Sequence, residues 1–320
     1  MTPLLRHNRI MRRQGQFEWG QQYLPSTMAL PREAPKCSRI SRLNSRKLGR
    51  SIHALSSPEK VFTQLALYHP RLIDLHEQKM LWPTKSSHPL RGHPLTKGLP
   101  LPSVSGTVEV ARELGFKHYE VCIDLPDGRR AMIPSPYQGD LLLYMLGESG
   151  LPYAVNWTVK DRKEAFGERR FSSAKTPVQQ NKDRDHARLR TELEMGYYAS
   201  AGIRTVQVSL DAVEPTVIAN LDLLFGTHQL PLTLNRTLLE DFSAAVLEAV
   251  KGGEPVAFVA IRHAKLWGHR DQFIAKIYQD IWDRKLVVNF LQPILIDRPL
   301  STEGGDLLEV FSELFQETAL

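Results

Sequence analysis

Residues 139–160, GDLLLYMLGESGLPYAVNWTVK, constrain the fold of this chain more than any other stretch. Two apolar, β-prone runs are separated by turn-forming glycine, serine and proline, which is typical of an antiparallel hairpin with a loose loop. Because side chains alternate between the two faces of a strand, the second run should have one apolar and one polar face. The apolar set is Val155, Trp157 and Val159, and the polar set is Asn156, Thr158 and Lys160.

The pairing of the two strands decides which polar residues meet. If Met145 pairs with Tyr153, then Asp140 lies opposite Thr158. Opposed Cβ atoms lie roughly 5 Å apart and diagonal neighbours somewhat farther, so Asp140, Thr158 and Lys160 are predicted to converge. Such a cluster suits a divalent metal with a lysine beside it. On the hairpin alone a plainer alternative stays open, in which Asp140 only begins a strand and Lys160 ends one in solvent.

Positive charge is concentrated in the first 50 residues. They carry eleven Lys and Arg residues against Glu18 and Glu33, whereas the 320-residue chain has a net charge of +6. We therefore predict that these basic residues, scattered in an irregular and proline-containing arm, contact the phosphates of a nucleic acid. A solvated arm without a ligand is the alternative.

Several classes of function lack a basis in the sequence. The two cysteines, Cys37 and Cys122, exclude a disulfide scaffold and fit a reducing interior, so a cytoplasmic location is expected. No closely spaced His or Cys pair supports zinc, and there is neither a nucleotide-binding P-loop nor a hydrolase nucleophile elbow. No apolar run reaches membrane-spanning length, so no membrane partner is expected.

Helix and strand signals in the N-terminal two thirds of the chain predict a mixed α/β domain. Ser57 as N-cap and Pro58 at the first helical position predict a helix to about Tyr68. Residues 71–83 then resemble one strand, residues 84–106 a proline-rich surface insertion, residues 181–201 a charged helix, and residues 204–210 a further strand.

From Ala212 onward the pattern is helical. Helices are predicted at 214–225, 236–251, 256–266 and 270–284, and KLVVNFLQPILI, residues 285–296, is predicted as a strand or wing. Three helices closed by a small β element are the plan of a winged helix. We therefore predict an α/β protein with a mixed-sheet domain at 1–212 and a mainly helical, winged-helix-like domain at 213–320. The apolar residues of the tail, 301–320, have helical spacing that fits either core or a partner surface, and core is favoured.

Residues 49–83, GRSIHALSSPEKVFTQLALYHPRLIDLHEQKMLWP, resemble the TnsA endonucleases of heteromeric bacterial transposons. In that family LS-x-x-E opens the catalytic helix, D-x-x-EQ forms the next strand, and D-F/L-L, Q-x-K and E-x-E-x-x-Y segments follow. The matching positions, in the same order, are Glu59; Asp74, Glu77 and Gln78; Asp140; Thr158 and Lys160; and Glu192, Glu194 and Tyr197. The resemblance covers most of the chain.

This resemblance implies a restriction-endonuclease-like domain followed by a winged-helix domain. It also implies a nuclease that uses Mg²⁺, with Mn²⁺ as a substitute, to cut the 5′ ends of transposon DNA in the bacterial cytoplasm. A TnsB-type transposase would cut the 3′ ends, and the C-terminal half would dock a TnsC-type AAA+ ATPase regulator.

The resemblance also implies roles for single residues. The catalytic set is Glu59, Asp140, Thr158 and Lys160, in which Glu59, Asp140 and the Val159 carbonyl hold the metal and Lys160 assists the water. Thr158 departs from the family, which usually has Gln or an acid there, and a neutral hydroxyl is a weaker ligand for a hard cation.

Two other functions stay open. The departure at Thr158 motivates a catalytically impaired TnsA-like scaffold that links transposase to regulator. A stand-alone DNA-binding regulator built on the winged helix is the third hypothesis, and it leaves the first 210 residues without a purpose.

Overall fold

The computed structural model describes residues 2–36, 38–125, 127–167 and 175–317. They form a mixed α/β protein. The helices are α1 Pro3–Gln14, α2 Ser57–Tyr68, α3 Thr107–Glu113, α4 Pro177–Ala199, α5 Pro215–Thr227, α6 Arg236–Lys251, α7 Val256–Trp267, α8 Arg270–Trp282 and α9 Leu307–Val310. The strands are β1 Ser41–Ser45, β2 Arg50–Ala54, β3 Leu72–Glu77, β4 Met80–Leu81, β5 Glu120–Asp124, β6 Arg130–Pro134, β7 Tyr137–Gln138, β8 Leu141–Leu146, β9 Pro152–Lys160 and β10 Arg204–Ser209.

The central sheet has four strands in the order β10-β9-β8-β3. β10 runs parallel to β9, and the other neighbours are antiparallel. The predicted hairpin is β8-β9, and Met145 pairs with Tyr153, so the predicted register is confirmed. The ladder ends at the pair Leu141 and Trp157, which leaves Asp140 at the mouth of the hairpin.

Helices cover both faces of the central sheet, which explains why β8 is apolar at almost every position. On one face Val155 and Trp157 belong to a core that includes Phe62 and Leu65 of α2. On the other face Tyr144 packs in a cluster with Tyr197 and Tyr198 of α4. The sheet therefore lies between α2 and α4, and the polar residues of β9 face α4.

The first 50 residues are not an irregular arm, and that prediction is wrong. α1 buries Ile10 and Gln14. The buried Gln14 amide is satisfied, because its Nε2 donates to the Tyr23 hydroxyl at 2.8 Å and to the Gln78 carbonyl at 3.1 Å. Arg13 forms an ion pair with Glu33. β1 and β2 pair as a hairpin that adds Leu43 and Ile52 to the core. Buried contacts thus fix a segment that was predicted to be an irregular basic arm.

The insertion at 84–106 also packs on the body of the protein. It buries Leu90 and Val104, contains a 3-10 turn at Pro94–Thr96, and closes on itself through a bridge between Ser86 and Val104. Trp19 Nε1 donates to the Pro89 carbonyl at 3.1 Å, which ties the insertion to the N-terminal segment.

The C-terminal helices occur where they were predicted, but the wing does not. Residues 285–296 form no strand, so that prediction is wrong. Asn220 of α5 supplies the partners that a neighbouring strand would have given. Its Nδ2 donates to the carbonyls of Phe290 at 3.0 Å and Gln292 at 2.8 Å, and its Oδ1 accepts from the Ile294 N–H at 3.1 Å. Because these backbone groups have hydrogen-bond partners, residues 285–296 can bury their apolar side chains in the core without forming a strand.

The hydrophobic core continues across the predicted boundary at Ala212. One cluster of buried side chains runs from Leu43 through the central sheet to Phe315. The tail packs on β9, since Trp157 Nε1 donates to the Leu314 carbonyl at 3.0 Å and the Tyr153 hydroxyl to the Phe315 carbonyl at 2.6 Å. The prediction that the tail belongs to the core is confirmed for Leu307 and Phe315, whereas Val310 is exposed and residues 318–320 lie outside the described residues. Within the described ranges, no helix has both the length and the apolar character needed to cross a bilayer.

Candidate functional site

The first turn of α2 fixes the orientation of Glu59. The N-cap is Ser56 rather than the predicted Ser57, because Ser56 has extended backbone and its Oγ accepts from the Glu59 N–H at 3.3 Å. In return Glu59 Oε1 accepts from Ser56 Oγ at 2.9 Å, and Oε2 accepts from the Leu55 N–H at 2.8 Å. This is a variant of the capping box, and it holds a buried carboxylate at the start of the helix.

Gln78 connects Glu59 to Asp140. Its Nε2 donates to Glu59 Oε2 at 2.9 Å, and its backbone N–H donates to the Asp140 carbonyl at 2.9 Å. Gln78 has a φ of 50°, a left-handed conformation that is uncommon for any residue but glycine. The Gln78 carbonyl accepts from Ser26 Oγ at 2.6 Å, which helps to hold this conformation. The turn also splits the single strand predicted over 71–83 into β3 and β4.

Asp140, Val159 and Lys160 meet where β8 begins and β9 ends. Asp140 Oδ2 accepts from the Val159 N–H at 2.8 Å and lies 3.6 Å from Lys160 Nζ. Lys160 Nζ also donates to the Val159 carbonyl at 3.1 Å. The structure thus brings these three predicted site residues together, with Asp140 and Lys160 still partly open to solvent.

The carboxylates of the site act on one another electrostatically. Burial, together with the negative charge of Asp140, raises the pKa of Glu59 to about 7. The hydrogen bonds from Leu55 and Ser56 and the charge of Lys160 oppose this rise in pKa. A positive ion between the carboxylates would relieve the repulsion.

Thr158 lies on the predicted face, but its hydroxyl binds another carboxylate. Thr158 Oγ1 donates to Glu194 Oε1 at 3.1 Å, and Asn156 Nδ2 donates to the same oxygen at 3.0 Å. Arg190 NH1 donates to Glu194 Oε2 at 3.3 Å. Burial raises the pKa of Glu194, the charge of Arg190 lowers it, and the charge of Asp140 raises it.

Sequence reasoning gave no role to Gln78 or Glu194, although both stand in the quoted motifs. The sequence feature that could have indicated a role for Glu194 is the pair Glu192 and Glu194, because two residues that are two positions apart on a helix cannot both face the core. Glu194 is buried against β9, whereas Glu192 forms a surface ion pair with Arg188.

The oxygen donors of the site fit a hard divalent cation. Among the described residues no group of three or more His, Cys, Asp and Glu side chains is placed to hold a metal. The predicted set instead combines Glu59 and Asp140 with the Val159 carbonyl. Asp140 uses Oδ2 for the Val159 N–H, which leaves Oδ1 available. Mg²⁺ retains several waters and commonly takes one or two carboxylates, so these oxygen donors are of the kind it uses. In the structure the Val159 carbonyl accepts from Lys160 Nζ, and both Glu59 oxygens accept hydrogen bonds.

An open pocket of about 560 Å³ adjoins these residues. Its lining includes Lys160, Val159, Asp161, the first residues of α2, and the exposed Arg39. Two cations and the N-terminus of a helix favour a phosphate in this pocket, and the carboxylate of Asp161 opposes it.

Comparison with models of protein families gave no match, and comparison with curated proteins gave none either.

Replacing Thr158 by valine tests its bond to Glu194. We expect Thr158→Val to lower the free energy of unfolding by about 1–3 kcal/mol, because a buried carboxylate loses a donor. Thr158→Ser keeps the hydroxyl and should retain most of the stability. Urea denaturation of these variants, with the exposed Thr302→Val as control, measures the difference. If Thr158→Val were as stable as Thr302→Val, the bond between Thr158 and Glu194 would contribute nothing.

Proposed function

We propose that this protein is a TnsA-type, metal-dependent DNA endonuclease subunit of a heteromeric transposase that cuts the 5′ ends of a transposon. The observation that carries the proposal is the convergence of Asp140, Val159 and Lys160 at the mouth of one hairpin, with Glu59 joined to Asp140 through the hydrogen bonds of Gln78. Carboxylates that hold hard cations, with a lysine beside them, are suited to hydrolysing a phosphodiester bond.

Each side chain has a part in this chemistry. Glu59, Asp140 and the Val159 carbonyl would hold Mg²⁺ or Mn²⁺. When bound, the ion supplies a more acidic water and stabilises charge on the phosphate. Lys160 lies beside Asp140 and would orient the attacking water or neutralise developing charge. Gln78 donates hydrogen bonds to both Glu59 and Asp140 and so would hold the two residues in a fixed relative position.

The finer fold assignment belongs to the same proposal. The four-stranded mixed sheet between α2 and α4 would be a restriction-endonuclease-like core, and α6–α8 would be a winged-helix-like module that lacks its β wing. Three large apolar side chains of α7 remain exposed: Phe258 by 50%, Leu266 by 78% and Trp267 by 57%. Exposed apolar surface of this kind supports docking to a protein partner, for which we propose the TnsC-type AAA+ regulator. Transposon-end DNA and a TnsB-type transposase would complete the assembly in the bacterial cytoplasm.

The contact between Thr158 and Glu194 favours a second candidate. The Thr158 hydroxyl is hydrogen-bonded to Glu194, so the position that carries Gln or an acid in the family has a short neutral side chain engaged with another residue. A scaffold that joins transposase to regulator without cutting DNA would tolerate this change.

A reconstituted excision assay separates the two candidates. The substrate is a supercoiled plasmid that carries the transposon ends flanking this gene, and the reaction contains the partner transposase, the regulator and Mg²⁺. The nuclease proposal expects 5′-strand cuts at those ends, mapped by primer extension, that disappear when Mg²⁺ is chelated. Cuts confined to the 3′ strands in a fully assembled complex would support the scaffold instead.

A further inference from the structure

A second pocket begins one residue away from the candidate site. It lies between the N-terminal segment and the insertion at 84–106, and its volume of about 390 Å³ is within the range of roughly 300–1,000 Å³ typical of ligand sites. Gln78 contacts Glu59, and the next residue, Lys79, lines this pocket. The lining that the structure describes contains no Asp or Glu, but it contains Lys79, Lys85 and Arg91.

None of the three cations of the pocket forms an ion pair within the described part of the chain. Lys79 Nζ instead lies 4.9 Å from the ring centroid of Phe17 and 5.4 Å from that of Tyr23. Burial lowers the pKa of Lys79 to about 8, and the charge of Asp74 only partly opposes this. A half-buried cation without a paired acid is costly, so a bound anion would stabilise it.

Aromatic rings form another part of the wall, namely Phe17, Trp19 and Trp82. Trp19 is held rigidly, because its ring stacks on His76 with centroids 5.3 Å apart and its Nε1 is bonded to Pro89. All three rings are only half-buried and keep exposed surface. A wall that is already ordered loses little entropy when a ligand binds.

We propose that this pocket holds an unpaired nucleotide of a DNA strand, with the base against the aromatic rings and its phosphate beside Lys79, Lys85 and Arg91. Aromatic platforms combined with cations are the chemistry that binds single-stranded nucleic acid, since every base can stack and every nucleotide carries a phosphate. The choice of DNA over a free nucleotide rests on the proposed nuclease function. The insertion at 84–106 would then be one wall of a substrate pocket.

Fluorescence anisotropy in EDTA tests the base contact without cleavage. The probes are a blunt duplex, the same duplex with a short single-stranded overhang, and that overhang with abasic sites in place of its nucleosides. We expect the normal overhang to bind about fivefold or more tightly than the abasic one, because stacking of one base contributes about 1–3 kcal/mol. Trp82→Leu should remove this preference.

The phosphate contact is tested by the salt dependence of binding to the overhang. Lys85→Ala/Arg91→Ala changes two exposed side chains beside the single phosphate of that nucleotide and should reduce the slope of log affinity against log salt by about 0.7, the value for one single-strand phosphate contact. Lys265→Ala/Arg298→Ala removes the same charge from exposed positions outside the pocket and should leave the slope unchanged.

Equal affinity for normal and abasic overhangs would overturn the proposal, as would equal salt slopes for the two double variants. Competition by a free deoxynucleotide monophosphate that matches the overhang would show a nucleotide site and overturn the assignment to DNA. Binding in EDTA does not depend on hydrolysis. A protein that prefers the normal overhang but never cuts DNA would therefore sustain this inference while the proposed nuclease function fails.

Discussion

Asp140→Asn should reduce 5′-strand cleavage by more than about 100-fold and leave the protein folded. Even groups that only support a metal ligand are worth about 10–100-fold in metal affinity or activity, and a ligand itself should be worth more. Asparagine has nearly the shape of aspartate, and its amide oxygen can still accept from the Val159 N–H. The variant therefore removes the charge that faces Lys160 without leaving a backbone donor unpaired.

Strand-specific cleavage and thermal unfolding are measured on the same preparations. Asp127→Asn is the matched control, since Asp127 also accepts a backbone N–H, that of Arg129 at 3.0 Å, but lies on the exposed β5-β6 hairpin. It should cut DNA like the wild type. Full activity of a folded Asp140→Asn protein would remove Asp140 from the catalytic set.

Arg50→Met should destabilise the protein by about 3–5 kcal/mol, because it leaves Glu77 as an uncompensated buried charge. The Glu77 side chain is 0% exposed and that of Arg50 7%, and their nearest charged atoms lie 3.0 Å apart. Arg50 NH2 also donates to the Leu75 carbonyl, so the backbone of β3 loses a donor as well.

Matched variants separate the buried charge from general damage. Arg46→Met removes an arginine that pairs with Asp283 at the surface, where such pairs contribute about 0–1 kcal/mol. Arg50→Met/Glu77→Gln should recover part of the loss, because the charge is gone along with its partner. Denaturant titration of these proteins makes the comparison. A double variant no more stable than Arg50→Met would show that the charge of Glu77 is not the cause.

The effect of Arg50→Met should also depend on pH. Burial raises the pKa of Glu77 from 4.5 to about 7, although Arg50 lowers it. Since the folded state binds this proton more tightly than the unfolded state, stability falls as the pH rises from about 4.5 through 7. Without Arg50 the pKa rises further, so we expect Arg50→Met to cost more at pH 8 than at pH 5. An equal cost at both values would contradict this account.

Local patterns in the sequence placed Asp140 opposite Thr158 and near Lys160 across the hairpin, whereas the part of Val159 came only from the family resemblance. The alternation of β9 and the turn residues between the strands determine the faces and the register, and the pairing of Met145 with Tyr153 follows from them. The same holds for α6, whose bounds at Arg236 and Lys251 follow from helical spacing.

Predictions failed where distant contacts replaced local ones. Residues 285–296 have the composition of a strand, yet Asn220 takes the backbone groups that a strand partner would have needed. The first 50 residues were predicted to be an irregular basic arm, yet Gln14 and Tyr23 attach them to the backbone around Gln78.

The sequence by itself therefore determined the hairpin, the capped helix that carries Glu59, and the polar face of β9, because each depends on periodicity within a few residues. Only the tertiary structure decided that Gln78 joins Glu59 to Asp140 and that Glu194 binds Thr158. Glu194 reaches Thr158 across 36 positions of the chain. Which side of a helix faces a sheet depends on how the two pack, and no pattern within either segment contains that information.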